Sequence, residues 1–282
     1  MFKIEKPSSD QLAFFYKNGY LVFPDVLTNE GREGLIKEIL ETPKVVDFLS
    51  LTNEERGRSH KPHRLSLIQW KDQEKYGDQL FDAPLVASLL SSIIGEIYHF
   101  CHASIRISMR GSQGLGFHHD NLPLNQIDRK KWYIQMIYYP TGFEKGDASL
   151  WVIPGSHQII DLKELAPIGP AIEEASAELL MKHYHNQVDR ELKAEELSLP
   201  IGSLVVMDAR LWHAVSPKPL DSPQEMRLFL NYIFKEEGEP HPYTQAISES
   251  WFCNKPSRSK IFQRSASSWS SSSFESEYGA LK

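Results

Sequence analysis

His118 and Asp120 stand one residue apart behind the glycine-rich run Gly111-Ser112-Gln113-Gly114-Leu115-Gly116-Phe117, and His213 and Arg227 follow far downstream. Two imidazoles and one carboxylate are the ligand set of a mononuclear non-haem iron(II) centre. Three protein ligands there occupy one face of an octahedron and leave the other positions open. Open positions mean chemistry. A structural metal site would be closed, usually by thiolates, and this chain has only Cys101 and Cys253, far apart. In extended backbone, residues i and i+2 share a face. His118 and Asp120 can therefore reach one ion, while His119 points the other way and reads as a packed or solvent-facing histidine.

With 11 histidines in the chain, the spacing His-x-Asp arises easily by chance. The second cluster gives it weight. Leu204-Val205-Val206-Met207 reads as a strand, Asp208-Ala209-Arg210 as a turn, and Leu211–Val215 as a returning strand. His213 then lies at a strand start, where a barrel mouth puts functional groups. Arg227 opens the next strand. In an antiparallel pair, a ligand on one strand and a cation on the next face one cavity. A buried arginine needs a partner. That partner is the carboxylate of a bound molecule, gripped by the guanidinium fork, or a protein carboxylate such as Asp208 or Asp221.

The elements that must position these residues are legible in part. Ser8-Ser9-Asp10 caps a short helix that stops at Asn18-Gly19. Tyr20–Phe23 reads as a strand, and Thr28 caps a helix carrying Leu35, Ile36, Ile39 and Leu40 at helical spacing. Residues 42–80 are polar and poorly periodic, and read as an irregular loop over a pocket. Pro84–Ile94 is an apolar helix stopped at Gly95. After that, strand-like runs dominate: 96–109, 132–139, 149–153, 203–207, 212–215 and 228–234. One helical insert over about 171–182 interrupts them. Short antiparallel strands at this spacing predict a sandwich or jelly roll. A parallel sheet would need a helix after nearly every strand. The Ser-rich stretch 265–273 cannot bury much and predicts a disordered tail over 256–282, after a single domain over 1–255.

At 282 residues, 41% hydrophobic and 24% charged, the chain can bury a sizeable core without staples. A net charge of −6 with scattered Lys and Arg argues against a nucleic-acid partner. Two cysteines, no secretory signal and no apolar run of membrane-spanning length predict a soluble cytoplasmic protein without membrane attachment. Oligomeric state is not readable.

An ordered set of motifs resembles the phytanoyl-CoA dioxygenase family of iron(II)- and 2-oxoglutarate-dependent oxygenases. These are Phe117-His118-His119-Asp120, then Leu150-Trp151-Val152-Ile153-Pro154-Gly155-Ser156-His157, then Ile201–Asp208 leading into Leu211-Trp212-His213, then Arg227. Tyr16–Pro24 is similar to the family's opening helix and strand, so the resemblance spans about residues 10–235. It implies a mainly β fold with flanking helices, a double-stranded β-helix or cupin-like jelly roll whose core is about 96–235. It implies His118, Asp120 and His213 as iron ligands and Arg227 as the grip on the distal carboxylate of 2-oxoglutarate. Ser104 and Arg106, on the strand before His118, and Gln135, on the strand after, become candidates for further cosubstrate contacts. His157 is structural and Trp212 packs behind the metal. Two departures stand out: a slightly long His213–Arg227 interval filled by 217–223, and Gly146-Asp147-Ala148-Ser149 in place of the usual Asn-Gly turn.

The resemblance implies oxidation of a substrate C–H, most readily hydroxylation, using Fe(II), 2-oxoglutarate and O2. The presence of Asp120 matters, because related halogenases lack this carboxylate to make room for chloride. The rival readings are a cupin-like binding protein without turnover and a zinc hydrolase using the same residues. The first is disfavoured by the complete ligand set, and the second leaves the Pro-Gly-Ser-His strand and Arg227 unexplained. The expected partner is a small molecule. Candidate pocket residues are His60, His63, Arg64, Trp70, Tyr133, Tyr138, Trp251 and Phe252.

Overall fold

The computed structural model describes residues 1–59, 62–67, 75–81, 83–95, 98–120, 132–159 and 174–236. The Ser-rich stretch 256–282 and the domain end at 255 lie outside them, as do His60, Trp70, Trp251 and Phe252. In chain order the elements are α1 Ser9–Asn18, β1 Tyr20–Phe23, α2 Asn29–Leu40, α3 Pro43–Ser50, α4 Asn53–Gly57 and β2 Arg64–Leu67. Next come α5 Lys75–Phe81, α6 Pro84–Ile94, β3 Tyr98–Met109, β4 Leu115–His118, β5 Tyr133–Tyr139 and β6 Leu150–Val152. The last are α7 Glu174–Tyr184, β7 Glu195–Glu196, β8 Ser203–Asp208, β9 His213–Val215 and β10 Met226–Glu236.

A six-stranded sheet runs in the order β1-β8-β5-β10-β3-β2, and a four-stranded sheet in the order β4-β9-β6-β7. From β3 onward the chain crosses back and forth between them: β3, β5, β8 and β10 lie in the large sheet, β4, β6, β7 and β9 in the small one. All pairings among the described residues are antiparallel. This alternation makes a jelly roll, as the strand-and-breaker pattern predicts.

Side-chain alternation splits the large sheet into two faces. Leu228, Leu230, Tyr232 and Phe234, with Ile105, Ile107, Ile134, Met136 and Tyr138, pack on Phe15 of α1, Leu35 and Ile39 of α2, Val45 of α3 and the apolar side of α6. The opposite face looks into the barrel, where Ile137, Tyr139, Val205 and Met207 meet Leu150 and Val152 of the small sheet. The outside of the small sheet is covered by α7, through Phe117, Ile153, Trp212 and Ala214 against Ala177, Leu180 and Tyr184.

Two expectations change. The described residues of 42–80 are not an irregular loop: α3, α4 and β2 lie among them, and α5 begins there. The helices there are short and bury few residues each, so no long apolar period marks them. Local caps do, as in the reciprocal Thr52–Glu55 capping box of α4. β2 joins the edge of the large sheet beside β3. The second change concerns Arg227. β9 and β10 are not an antiparallel pair. β9 pairs with β4 and β6, while β10 pairs with β3 and β5. The chain between them changes sheets, so His213 and Arg227 belong to opposite walls of the barrel. Among the described residues no helix is long and apolar enough to cross a membrane.

Candidate metal centre

β4 ends on His118 and β9 begins with His213, and the two histidines are register partners. The backbone N–H of Asp120 donates to the carbonyl of Ala209 at 2.8 Å, which pins the His-x-Asp segment to the turn just before His213. The Pro-Gly-Ser-His run braces that turn from behind. Trp212 N–H donates to Ser156 Oγ at 2.9 Å, Ile153 N–H to the Trp212 carbonyl at 2.9 Å, and Gly155 N–H to the Asn18 carbonyl at 2.9 Å. His157 lies with Nε2 3.1 Å from the Tyr16 carbonyl. Its ring fills the space over Gly19, where a Cβ would come within 2.5 Å of His157 Nδ1. Gly19 also needs its φ of 81° to end α1 and start β1. The motif therefore locks the opening helix to the strand that carries His213, and His157 is structural. His119 faces away and packs edge-on against Trp212, ring centroids 5.1 Å apart.

His118, Asp120 and His213 form a group in which one ligand atom from each lies within 4.8 Å of the others. His118 Nδ1 is 2.8 Å from the Gly116 carbonyl and His213 Nδ1 is 2.9 Å from the Leu211 carbonyl. A carbonyl only accepts, so each Nδ1 carries a proton, and this inferred tautomer leaves Nε2 free to act as a lone-pair donor. Both Nε2 atoms turn to Asp120, at 3.6 Å from Oδ1 and 3.5 Å from Oδ2. Burial pushes His213 down to about 4, with His118 adding to the shift and Asp120 and the Leu211 carbonyl opposing it. His213 is thus neutral at neutral pH. Burial alone would raise the Asp120 carboxyl, but His213, His118, the Gln135 amide and Arg106 outweigh it and hold it at about 2. A carboxylate and a neutral imidazole that both offer lone pairs toward one point repel unless a cation sits between them. The donor set fits a divalent non-haem metal ion.

Arg227 is buried on the barrel face of β10. Its Nη1 donates to the Ala148 carbonyl, and its Nε has no partner among the described residues. Its guanidinium carbon lies 5.0 Å from the Phe229 ring centre and 5.8 Å from those of Tyr139 and Phe143. Burial takes it down to about 10, with Tyr139 and Asp147 opposing and Arg64 adding, so it stays cationic. No described carboxylate forms an ion pair with it. Asp208 is held by Arg210, Nη2 to Oδ2 at 2.6 Å, and Asp147 by Lys218 at 2.7 Å. A buried cation set among aromatic rings with an unused N–H is built to receive an anion.

The remaining residues fall out by strand parity. Ser104, Arg106, Gln135 and Asn231 share the barrel face with Arg227, through the pairs Arg227↔Ser108, Phe229↔Arg106, Asn231↔Ser104 and Ile233↔Gln135. Gln135 Nε2 donates to Asp120 Oδ2 at 2.6 Å, so its amide is engaged on the carboxylate. Ser104 is buried with an unpartnered Oγ among the described residues. Arg64, opposite Ser108, also has the barrel parity, and Tyr133 shares the parity of Gln135. Tyr138 does not: it packs in the helix-side core against Tyr232. His63 packs beside Gly57, in the turn before β2.

Residue type and spacing did not single out Asn231, although its parity with Arg227 was there to be read. Nor did they single out the Lys218–Asp147 pair. That pair joins the two departures from the family pattern. Lys218 lies in the long 217–223 connection and Asp147 in the altered turn. Ser222 Oγ also bonds Asp147 at 2.8 Å, and Ala148 N–H donates to the Pro217 carbonyl at 3.0 Å. The inserted loop therefore holds the turn that carries the Ala148 carbonyl, which in turn holds Arg227.

A jelly roll with two histidines and one carboxylate converging inside it defines a mononuclear non-haem metal class. The model of the phytanoyl-CoA dioxygenase family matches residues 15–218. The chain belongs to this family. It is 20% identical over 226 residues to dioxygenase af480 of Aspergillus fumigatus, covering 79% of this chain and 66% of the relative, just under two thirds of its length. In fold it is similar to EctD from S. alaskensis, solved with 2-oxoglutarate and 5-hydroxyectoine (TM-score 0.60, 17% identity, 86% and 84% of the two chains). It is also similar to the non-haem α-ketoglutarate-dependent epimerase SnoN from nogalamycin biosynthesis (0.59, 15%, 80% and 82%). A third is HygX from Streptomyces hygroscopicus, solved with nickel, 2-oxoglutarate and hygromycin B (0.57, 14%, 83% and 89%).

Proposed function

We propose that this chain couples oxidation of an unactivated C–H bond in a small organic molecule, most readily hydroxylation, to decarboxylation of 2-oxoglutarate. In this reading His118, Asp120 and His213 hold the iron and Arg227 holds the distal carboxylate of the cosubstrate. The observation that carries it is the convergence of the His118 and His213 Nε2 atoms on the Asp120 carboxylate, at 3.6 and 3.5 Å. When bound, iron, 2-oxoglutarate and O2 supply the oxidising equivalent, and the ketoacid leaves as succinate and CO2.

The chain's own residues bind, orient and exclude water. The Gly116 and Leu211 carbonyls fix the imidazole tautomers, as outer partners of metal-binding histidines do. Arg227 meets an incoming carboxylate with little reorganisation, because its charge is already desolvated among Tyr139, Phe143 and Phe229. Ile137, Val205, Met207, Leu150 and Val152 keep the barrel floor dry. Arg64 and Tyr133, which share the barrel parity, are the described candidates for touching the substrate.

The test is anaerobic addition of Fe(II) to metal-free protein with and without 2-oxoglutarate, followed by visible spectroscopy. A charge-transfer band in wild type, absent from a folded His213→Ala variant, is the expected result. A properly folded, metal-loaded wild type without the band would overturn the oxygenase reading and favour a cupin-like protein without turnover.

A further inference from the structure

Beyond the metal ligands, a polar relay crosses the apolar floor of the barrel. Asn231 Nδ2 on β10 donates to Gln135 Oε1 on β5 at 2.6 Å, and Gln135 Nε2 donates to Asp120 Oδ2 at 2.6 Å. Gln135 and Asn231 are both buried. Ile137, Met207 and Leu150, in the apolar cluster under the barrel, offer them no competing polar partner.

The direction of this relay is forced. An ionised carboxylate only accepts, so Gln135 must turn its NH2 toward Asp120. Its carbonyl oxygen is thereby turned toward Asn231, which must answer with its own NH2. Asn231 Oδ1 is left over, and it is indeed without a partner among the described residues. A buried unpaired amide oxygen is destabilising, so the arrangement persists because the other two bonds over-determine it.

We propose that Gln135 and Asn231 are positioning residues that fix the orientation of the Asp120 carboxylate for metal binding. The proposal rests on His118, Asp120 and His213 being the metal ligands. Gln135 holds Oδ2, so the carboxylate cannot rotate away from the two imidazoles. Asn231 keeps the Gln135 amide from flipping. This places Gln135 in a role distinct from cosubstrate binding, and it gives Asn231 a role.

The forced direction yields a test that separates orientation from packing. Asn231→Asp is isosteric, and Asn231→Leu keeps the branched side-chain shape at a larger volume. An ionised carboxylate only accepts, so Asn231→Asp competes with Asp120 for the Gln135 NH2 once ionised; burial raises the introduced acid and its protonated form still donates to Gln135 Oε1, so binding is compared across pH. Asn231→Leu removes one bond and leaves the Gln135 NH2 free to stay on Asp120. The measurement is Co(II) binding to metal-free full-length protein, titrated by visible absorption without 2-oxoglutarate or substrate, with thermal melts as a folding control. Gln135→Met, again close in volume, and Asn231→Asp once ionised are each expected to weaken Co(II) binding roughly tenfold or more, the range for outer partners of metal ligands. Asn231→Leu is expected to weaken it less than Asn231→Asp, even where both melt alike. Wild-type affinity in folded Gln135→Met and Asn231→Asp would overturn the proposal. Equal losses in the two Asn231 variants would overturn the forced direction and leave a packing role. If wild type itself binds no Co(II), the metal-ligand reading fails first and this inference with it.

Discussion

The two faces of the large sheet come from the same strands and follow opposite rules. On the helix side, β10 presents Leu228, Leu230, Tyr232 and Phe234 to an apolar core. On the barrel side, the alternate residues are Arg227, Phe229, Asn231 and Ile233. One face is a closely packed apolar layer. The other holds a buried guanidinium with an unused N–H, an orphan Ser104 hydroxyl and an orphan Asn231 carbonyl among the described residues. Unpaired buried polar groups cost about 1–3 kcal/mol each. Among the described residues of the large sheet's strands they gather on the barrel face, which has polar atoms left to bind with, while the opposite face supplies apolar packing.

Substitutions on the two faces should therefore separate stability from binding. The largest effect on folding is expected from Leu230→Ala on the helix side, fully buried in the main core. Truncation there should cost about 2–5 kcal/mol by denaturant titration, with Fe(II) and 2-oxoglutarate affinity of the folded fraction unchanged. Asp147→Ala comes next. It leaves Lys218 buried without its carboxylate, and breaking a buried pair from one side costs about 3 kcal/mol. The same change loosens the turn that carries the Ala148 carbonyl, so 2-oxoglutarate binding should weaken as well. Unchanged 2-oxoglutarate affinity would show that the inserted loop and Arg227 are independent. Arg227→Met then inverts the pattern. Removing an uncompensated buried cation should leave the melting temperature unchanged or raised, while 2-oxoglutarate affinity falls on the order of 100-fold, about 3 kcal/mol for lost charge-assisted hydrogen bonds. A large loss of stability instead would make Arg227 a structural residue and blur the contrast between the faces.

The readable part of the site was the part with short-range grammar. His118-x-Asp120 is local and obeys a period of two, and His213 follows a strand and a turn that announce themselves. The capped α1, its Gly19 stop and β1 were legible for the same reason. The stretch 42–80 was not, because α3, α4 and α5 are short and β2 is an edge strand whose Arg64 and Ser66 interrupt any apolar run. The partner of β10 was misread because adjacency in sequence suggests a hairpin, whereas a jelly roll sends consecutive strands to opposite sheets.

Residue types and their order were enough by themselves to determine the strand-rich class and the family, and to bring His118, Asp120 and His213 forward as candidates. Ligand chemistry depends on which side chains exist, and strand chemistry on local alternation. Only the tertiary structure decided that His213 and Arg227 lie on opposite walls, that Asp208 belongs to Arg210 and leaves Arg227 without a described carboxylate, that Lys218 reaches Asp147, and that Asn231 stands behind Gln135 and Asp120. Each of these is a contact between residues brought together by sheet register and strand crossing, and register is set by how every strand buries its apolar face at once.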